Sequence, residues 1–210
     1  MLAQSMLAAG LLAAPLPNPN MQIGPSNYPA NYLRDEKSAA AVIEIIVTPD
    51  GKIAKCRELK TFGDEKFSNE LCKLQNSRAW RRALDENGQP IYGVVRTLFR
   101  MFVPGTQQGN YIAHLAQEPD VELTVNRLPT PIANYLDVRV SLKVDASGVV
   151  TNCEARAEPA ISANYARIAC VQAHQLKFDR VLIEGVALPG FVIEQKVRFM
   201  AENSAAATTR

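Results

Sequence analysis

Four cysteines, Cys56, Cys72, Cys153 and Cys170, are the residues of this chain whose type most narrows its chemistry. Thiols bind zinc in closely spaced pairs, exchange electrons as Cys-x-x-Cys, or cross-link. Here the successive spacings that matter are 16 (56 to 72) and 17 (153 to 170). Neither suits a zinc site or a redox pair, so no metal is expected. Cross-linking remains, the alternative being four buried thiols that behave as small hydrophobes. Four cysteines allow three pairings.

The other reactive side chains do not assemble into a motif. The two histidines, His114 and His174, lack a partner at i+4 and a neighbouring acidic cluster. Asp35-Glu36 and Asp64-Glu65 fall at expected element ends, where carboxylates are ordinarily solvated. The chain has no Gly-rich phosphate loop and no Gly-x-Ser-x-Gly elbow. Arg78, Arg81 and Arg82 flank Trp80. They suit either an anionic patch or the cationic end of a helix, and the second is the expectation. A formal net charge of +2 gives no footprint for nucleic acid. The expectation is a protein without catalytic residues, cofactor or small-molecule substrate.

The elements that position the cysteines occur twice. VIEIIVTPDGKIAKC (Val42 to Cys56) matches VRVSLKVDASGVVTNC (Val138 to Cys153). At an offset of 97, Ile45 meets Leu142, Gly51 meets Gly148 and Cys56 meets Cys153. At an offset of 98, Phe67 meets Tyr165, Cys72 meets Cys170, Trp80 meets Phe178 and Arg100 meets Arg198. A single one-residue insertion explains the change. Duplication selects one pairing: Cys56 with Cys72, and Cys153 with Cys170. Each bridge closes a loop worth roughly 3 kcal/mol in the chain-entropy model.

Periodicity supplies the elements. Val138, Val140, Leu142 and Val144 alternate with polar residues, as in a half-buried strand. Pro49-Asp50-Gly51 and Ala146-Ser147-Gly148 are turns, so each unit opens with a hairpin. Ile53 and Cys56 lie three apart, as do Val150 and Cys153. Both members face the core only if the second strand is bulged. A helix follows, with Phe67, Leu71 and Leu74 on one face in unit 1, and Tyr165 and Ala169 in unit 2. A turn at Asp85-Glu86-Asn87-Gly88, or at Gly185, leads to a last strand over Val94–Phe102 or Val192–Met200. A short helix is expected near Tyr28-Pro29. Pro129 and Pro131 leave little room for its counterpart. The fold class is α+β: two tandem small modules, each a three-stranded antiparallel sheet with one or two helices on one face.

The expected domain plan runs as follows. Residues 1–20 are a signal peptide or apolar N-terminal segment, 26–104 form module 1, and 105–117 are a polar linker. Module 2 spans 118–200, and 201–210 are a disordered tail. The uncharged run 1–14 spans roughly 21 Å as a helix, short of the ~30 Å hydrocarbon core. It suits a secretory signal, although no Lys or Arg precedes it and Pro15 follows Ala14. Export and an even cysteine count agree.

Residues 26–104 resemble the C-terminal domain of TonB energy transducers. The resemblance rests on Tyr28-Pro29, VTPDGKIAKC, Phe67, Leu71 and Trp80 at helical spacing, and RRALDENGQPIYG (Arg81 to Gly93). Residues 118–200 resemble it more weakly. The resemblance implies a periplasmic domain that binds an extended segment of an envelope protein partner, such as an outer-membrane receptor, by adding it to the edge of the last strand. Val94, Arg96, Leu98, Arg100, Val192, Glu194, Lys196 and Arg198 are then the partner-binding edge. A transducer also has a membrane anchor and a long proline-rich spacer, whereas the apolar run here is short and only 13 residues separate it from Tyr28. The expectation is therefore a non-catalytic binding module, with membrane contact only if residues 1–14 are retained. The alternatives are a component of energy transduction to outer-membrane receptors, or a structural envelope protein whose units pack edge to edge.

Overall fold

The computed structural model describes residues 11–17, 25–75, 80–129, 134–156 and 163–202. Its first half contains β1 (Leu16–Pro17), α1 (Ala30–Arg34), β2 (Ala39–Val47), β3 (Ile53–Gly63), α2 (Glu65–Ser68), α3 (Leu71–Gln75), β4 (Trp80–Arg81), β5 (Ala83–Leu84) and β6 (Pro90–Met101). The second contains α4 (Gln107–His114), β7 (Val121–Val125), β8 (Tyr135–Asp145), β9 (Val150–Ala155), α5 (Ala163–Ala173), β10 (Leu182–Ile183), β11 (Val186–Ala187) and β12 (Gly190–Ala201). The class is α+β with a sheet-dominated core. Its strands do not form two separate sheets. One sheet of eight runs β3-β2-β6-β12-β8-β9, with β5 added beside β6 and β7 beside β12.

The hairpins form where the alternation and turn residues place them. β2 pairs with β3, and β8 with β9. The register of β2 and β3 slips between Ile46 and Val47, leaving Ala54 as the extra residue, and again opposite Leu59. That of β8 and β9 slips between Lys143 and Val144, leaving Thr151 extra. The bulges at Ala54 and Thr151 lie between Ile53 and Cys56 and between Val150 and Cys153, where the spacing of three requires them. Each cysteine consequently reaches its helix. Cys56 bonds to Cys72 on α3 and Cys153 to Cys170 on α5, both with Cα atoms 5.6 Å apart. β3 and β9, the outermost strands of the path, are thereby tied to the elements that cover them. The bulges, with Lys55, Arg57 and Lys60 on β3, make that edge a poor template for aggregation.

The turn glycines have a second reason to be glycine. Gly51 and Gly148 have φ of 86° and 85°. A Cβ on Gly51 would lie 2.7 Å from the Trp80 carbonyl oxygen, and on Gly148 2.0 Å from that of Phe178. The Trp80 and Phe178 amides donate to the Gly51 and Gly148 carbonyls at 3.4 and 2.9 Å. The aromatic past each helix therefore returns over the turn of its own hairpin, which explains why glycine and aromatic recur together in both halves.

Several local readings change. The expected helix at Phe67–Leu74 is broken into α2 and α3, because Asn69-Glu70 forms a turn in which the Glu70 amide donates to Phe67. Asp64 caps α2 by accepting from the Phe67 amide at 3.0 Å. The linker 105–117 is largely α4, capped by Thr106, whose hydroxyl accepts from the Gly109 amide at 2.9 Å, and anchored by fully buried Ile112. β7 was not legible either. Arg81 lies in a strand rather than at a helix end, while Arg78, Pro131 and 203–210 lie outside the described residues. No described helix is long and apolar enough to cross a membrane.

Side-chain parity fixes where the helices sit. Ala39, Ala41, Ile43, Ile45 and Val47 of β2 pack with Phe67 and Leu71. Phe191, Ile193, Val197 and Phe199 of β12 pack with Ala169 and Ala173 of α5. Across the sheet centre Ile193 lies beside Val94, and Val94 has the opposite parity to Val95, which joins the first cluster. The helices of the two halves therefore cover opposite faces. The halves are related by about a half-turn around an axis along the strands.

Substitution at the turn glycines separates backbone strain from collision. Gly148→Ala meets both and should destabilise by about 3 kcal/mol or more, whereas Gly88→Ala, with open space around it, should cost about 1 kcal/mol. Urea unfolding of the oxidised variants measures both. Equal losses would mean that the Phe178 contact contributes nothing.

Candidate functional site

The centre of the sheet is where the two last strands meet. Tyr92, Gly93 and Val94 of β6 run parallel to Phe191, Val192 and Ile193 of β12. Only three residues pair because other strands claim the rest. β5 takes the β6 edge at Pro90 and Ile91, and β7 takes the β12 edge from Val197 to Ala201. β6 and β12 diverge past Val94, leaving a fork.

Side chains and one loop fill the fork. The Gln117 carboxamide accepts from the Leu98 amide at 3.3 Å and donates to the Arg96 carbonyl at 3.1 Å. It satisfies one donor and one acceptor as a neighbouring strand would. Asp120 does the same for β12. Its amide donates to the Lys196 carbonyl at 2.9 Å, and its carboxylate accepts from the Lys196 amide at 2.7 Å. The Lys196 ammonium donates to the Gln117 carbonyl, which links the two plugs. Burial pushes the Asp120 carboxyl above its ordinary value and the Lys196 ammonium below its own.

A cleft of about 400 Å³ remains in the fork, walled in part by Trp80, Phe99, Arg96, Arg139, Glu194 and Lys196. Its cations have carboxylate partners. Arg96 donates to buried Glu44 at 2.8 Å, which also accepts from Arg57 at 2.7 Å. Arg139 donates to Glu194 at 2.9 Å, and Lys196 lies 3.9 Å from Asp137. A cleft so neutralised has little pull on a phosphate or carboxylate ligand. Among the described residues no cluster of three His, Cys, Asp or Glu is placed to hold a metal. His114 contacts the Asn110 carbonyl at 2.6 Å and His174 the Val150 carbonyl at 3.4 Å, both away from the fork.

The eight residues expected at a partner-binding edge lie on β6 and β12, along the seam and the fork that opens from it. Val94 pairs with Ile193. The Arg96 and Leu98 backbones are held by Gln117. The Arg100 guanidinium donates to the Ala113 and Leu115 carbonyls at 3.0 and 2.6 Å, clamping the connecting segment along the β6 edge. Val192, Glu194, Lys196 and Arg198 stand on a strand flanked by β8 on one side and by β6, Asp120 and β7 on the other. The physical reason is that each terminal strand had unpaired backbone groups, and the nearest unpaired backbone was the other's. Gln117 and Asp120 had no signal in the sequence, since a polar loop residue and an edge plug have the same composition.

The apolar N-terminal segment also belongs to the site. Leu12, Ala14 and Pro15 are buried within the described body, while the expected boundary at residue 20 lies outside the described residues. No family model, curated protein or solved structure matches this chain.

An ion pair crosses the seam. The Lys143 ammonium, on β8, donates to both carboxylate oxygens of Glu86, in the turn between β5 and β6, at 2.7 and 2.9 Å. That hydrogen bond holds the Glu86 carboxyl below its ordinary value of 4.5. A depressed carboxylate contributes stability above its unfolded pKa, and the contribution is lost as pH falls through the folded value. Lys143→Met should thus lower stability by about 0.5–1 kcal/mol at neutral pH and by almost nothing near pH 2, read from denaturant melts. A deficit that persists unchanged in acid would assign the loss to packing instead.

Proposed function

We propose that this chain is a non-catalytic, exported protein of the cell envelope, built from two TonB-C-like units whose last strands pair with each other. Under this reading its role is structural. Each unit closes the edge that its neighbour would otherwise offer to a receptor segment. The observation that carries the proposal is the parallel pairing of Tyr92–Val94 with Phe191–Ile193, continued by the plugs at Gln117 and Asp120. Two disulfides fit an oxidising compartment. The recurring hairpin, helix and strand, with glycine and aromatic in contact at the same place in each half, support duplication of one module.

A second reading is favoured by the fork itself. A carboxamide standing in for a strand offers the same groups as a peptide backbone. An extended partner segment could displace Gln117 and pair with Arg96 and Leu98. That reading keeps the partner in the envelope and confines its site to β6.

One titration separates the two. Peptides from the periplasmic ends of outer-membrane receptors are added to the oxidised, isotope-labelled full chain. The structural reading expects no amide shifts at millimolar peptide. It also expects Val94 and Ile193 amides to exchange as slowly as those of Ile45 and Leu142. Shifts confined to Val94–Arg100 would overturn it in favour of partner binding.

A further inference from the structure

The face of the seam on the Trp80 side already carries an added strand. Residues 13–17 run antiparallel to residues 80–84 in a single register: Ala13 opposite Leu84, Leu16 opposite Arg81, and Pro17 opposite Trp80. Ala13 and Leu84 exchange two backbone hydrogen bonds of 3.0 and 2.9 Å. Buried Leu12 and Ala14 pack with Ala83, Ile91 and Val192. Ala83 and Ile91 come from the first half and Val192 from the second, so the segment lies across the junction. The Leu12 amide is capped by the Glu154 carboxylate at 2.7 Å.

Gly93 makes the groove deep enough. A Cβ there would stand 2.4 Å from Pro15 Cγ and 2.7 Å from its Cδ. Gly93 therefore seats a proline ring, while Ala83 leaves room for Leu12 and Ala14. The groove selects a branched apolar residue, a small one two places on, and a proline directly after it.

The segment is an accessory to the cores. The large cluster under α5 and the cluster under α1 to α3 contain no residue from 11–17. Leu12 and Ala14 meet only the small separate cluster with Ala83 and Val192. Both cores close without the segment, which has the geometry of a peptide added to a sheet edge. We infer that this groove is a binding site for an extended apolar segment with Leu-x-Ala-Pro spacing, and that residues 11–17 are its resident, exchangeable occupant. A segment of the same chemistry from another chain competes for the groove. Pro15, Leu16 and Pro17 also line the cleft in the fork, so exchange opens one wall of that cleft. This inference goes beyond the structural role proposed above; the groove shares Gly93 and Val192 with the seam, and its backbone pairing is to residues 80–84.

The test inserts a site-specific protease sequence between Asn18 and Asn20 of the full chain and cuts it in the native state. A fluorescent peptide of residues 11–17 is then added. The cut chain should take it up to saturation in anisotropy, with amide shifts at Trp80–Leu84, while the uncut chain takes up little. The same peptide carrying Leu12→Asp, or the wild-type peptide on a cut Gly93→Ala chain, should bind at least about tenfold more weakly. Three results would overturn the inference. One is no uptake of excess peptide within a day. Another is uptake indifferent to both substitutions. The third is loss of the folded NMR spectrum on cutting, which makes the segment an integral strand.

Discussion

A strand at the end of a sheet leaves a row of amides and carbonyls that must find partners or stay in water. In this chain β6 and β12 each end a hairpin–helix–strand sequence, and each would have one such row exposed. They meet along only three residues, yet that short parallel contact organises the molecule. It sets one half against the other by about a half-turn and puts the helices on opposite faces. It also forces the strands to part on either side, since β5 and β7 are already attached beyond it. The fork, the plugs at Gln117 and Asp120 and the groove under residues 11–17 all follow from that geometry.

The disulfides act at the opposite ends of the same sheet. β3 and β9 have one neighbour each on the strand path, and their bulges break the regular ladder. A cross-link from each to its overlying helix holds the parts of the sheet that hydrogen bonding secures least. The seam needs no cross-link, because both of its strands have a long antiparallel partner as well. Bulge and disulfide are parts of one device. In an unbulged ladder a spacing of three would point Ile53 and Cys56 to opposite faces, and the sulfur could not meet α3.

Charge is used at the seam to neutralise rather than to attract. Glu44 is buried between Arg57 and Arg96, and Glu194 lies by Arg139 and Arg156. Glu44 is the desolvated member, and two partly exposed arginines share its neutralisation. The cleft keeps backbone-like donors and acceptors beside apolar walls.

The chain's sequence by itself determined the local elements and the cysteine pairing. Alternation in Val138–Val144, turn glycines at 51 and 148, and a spacing of three before each cysteine are short-range demands, and the hairpins and bulges answer them. Recurrence of these features in both halves selected one disulfide pattern of three. The break between α2 and α3, helix α4 and strand β7 were illegible, because their segments are short and polar and gain order only from what they pack on. The neighbours of the expected edge were illegible for a related reason. Periodicity identifies a strand and its buried face, but the neighbour at its edge bonds through backbone atoms that are the same in nearly every residue. Only the tertiary structure could decide that β12 lies beside β6, that Gln117 stands in for a strand, and that an apolar N-terminal segment fills a groove floored by Gly93.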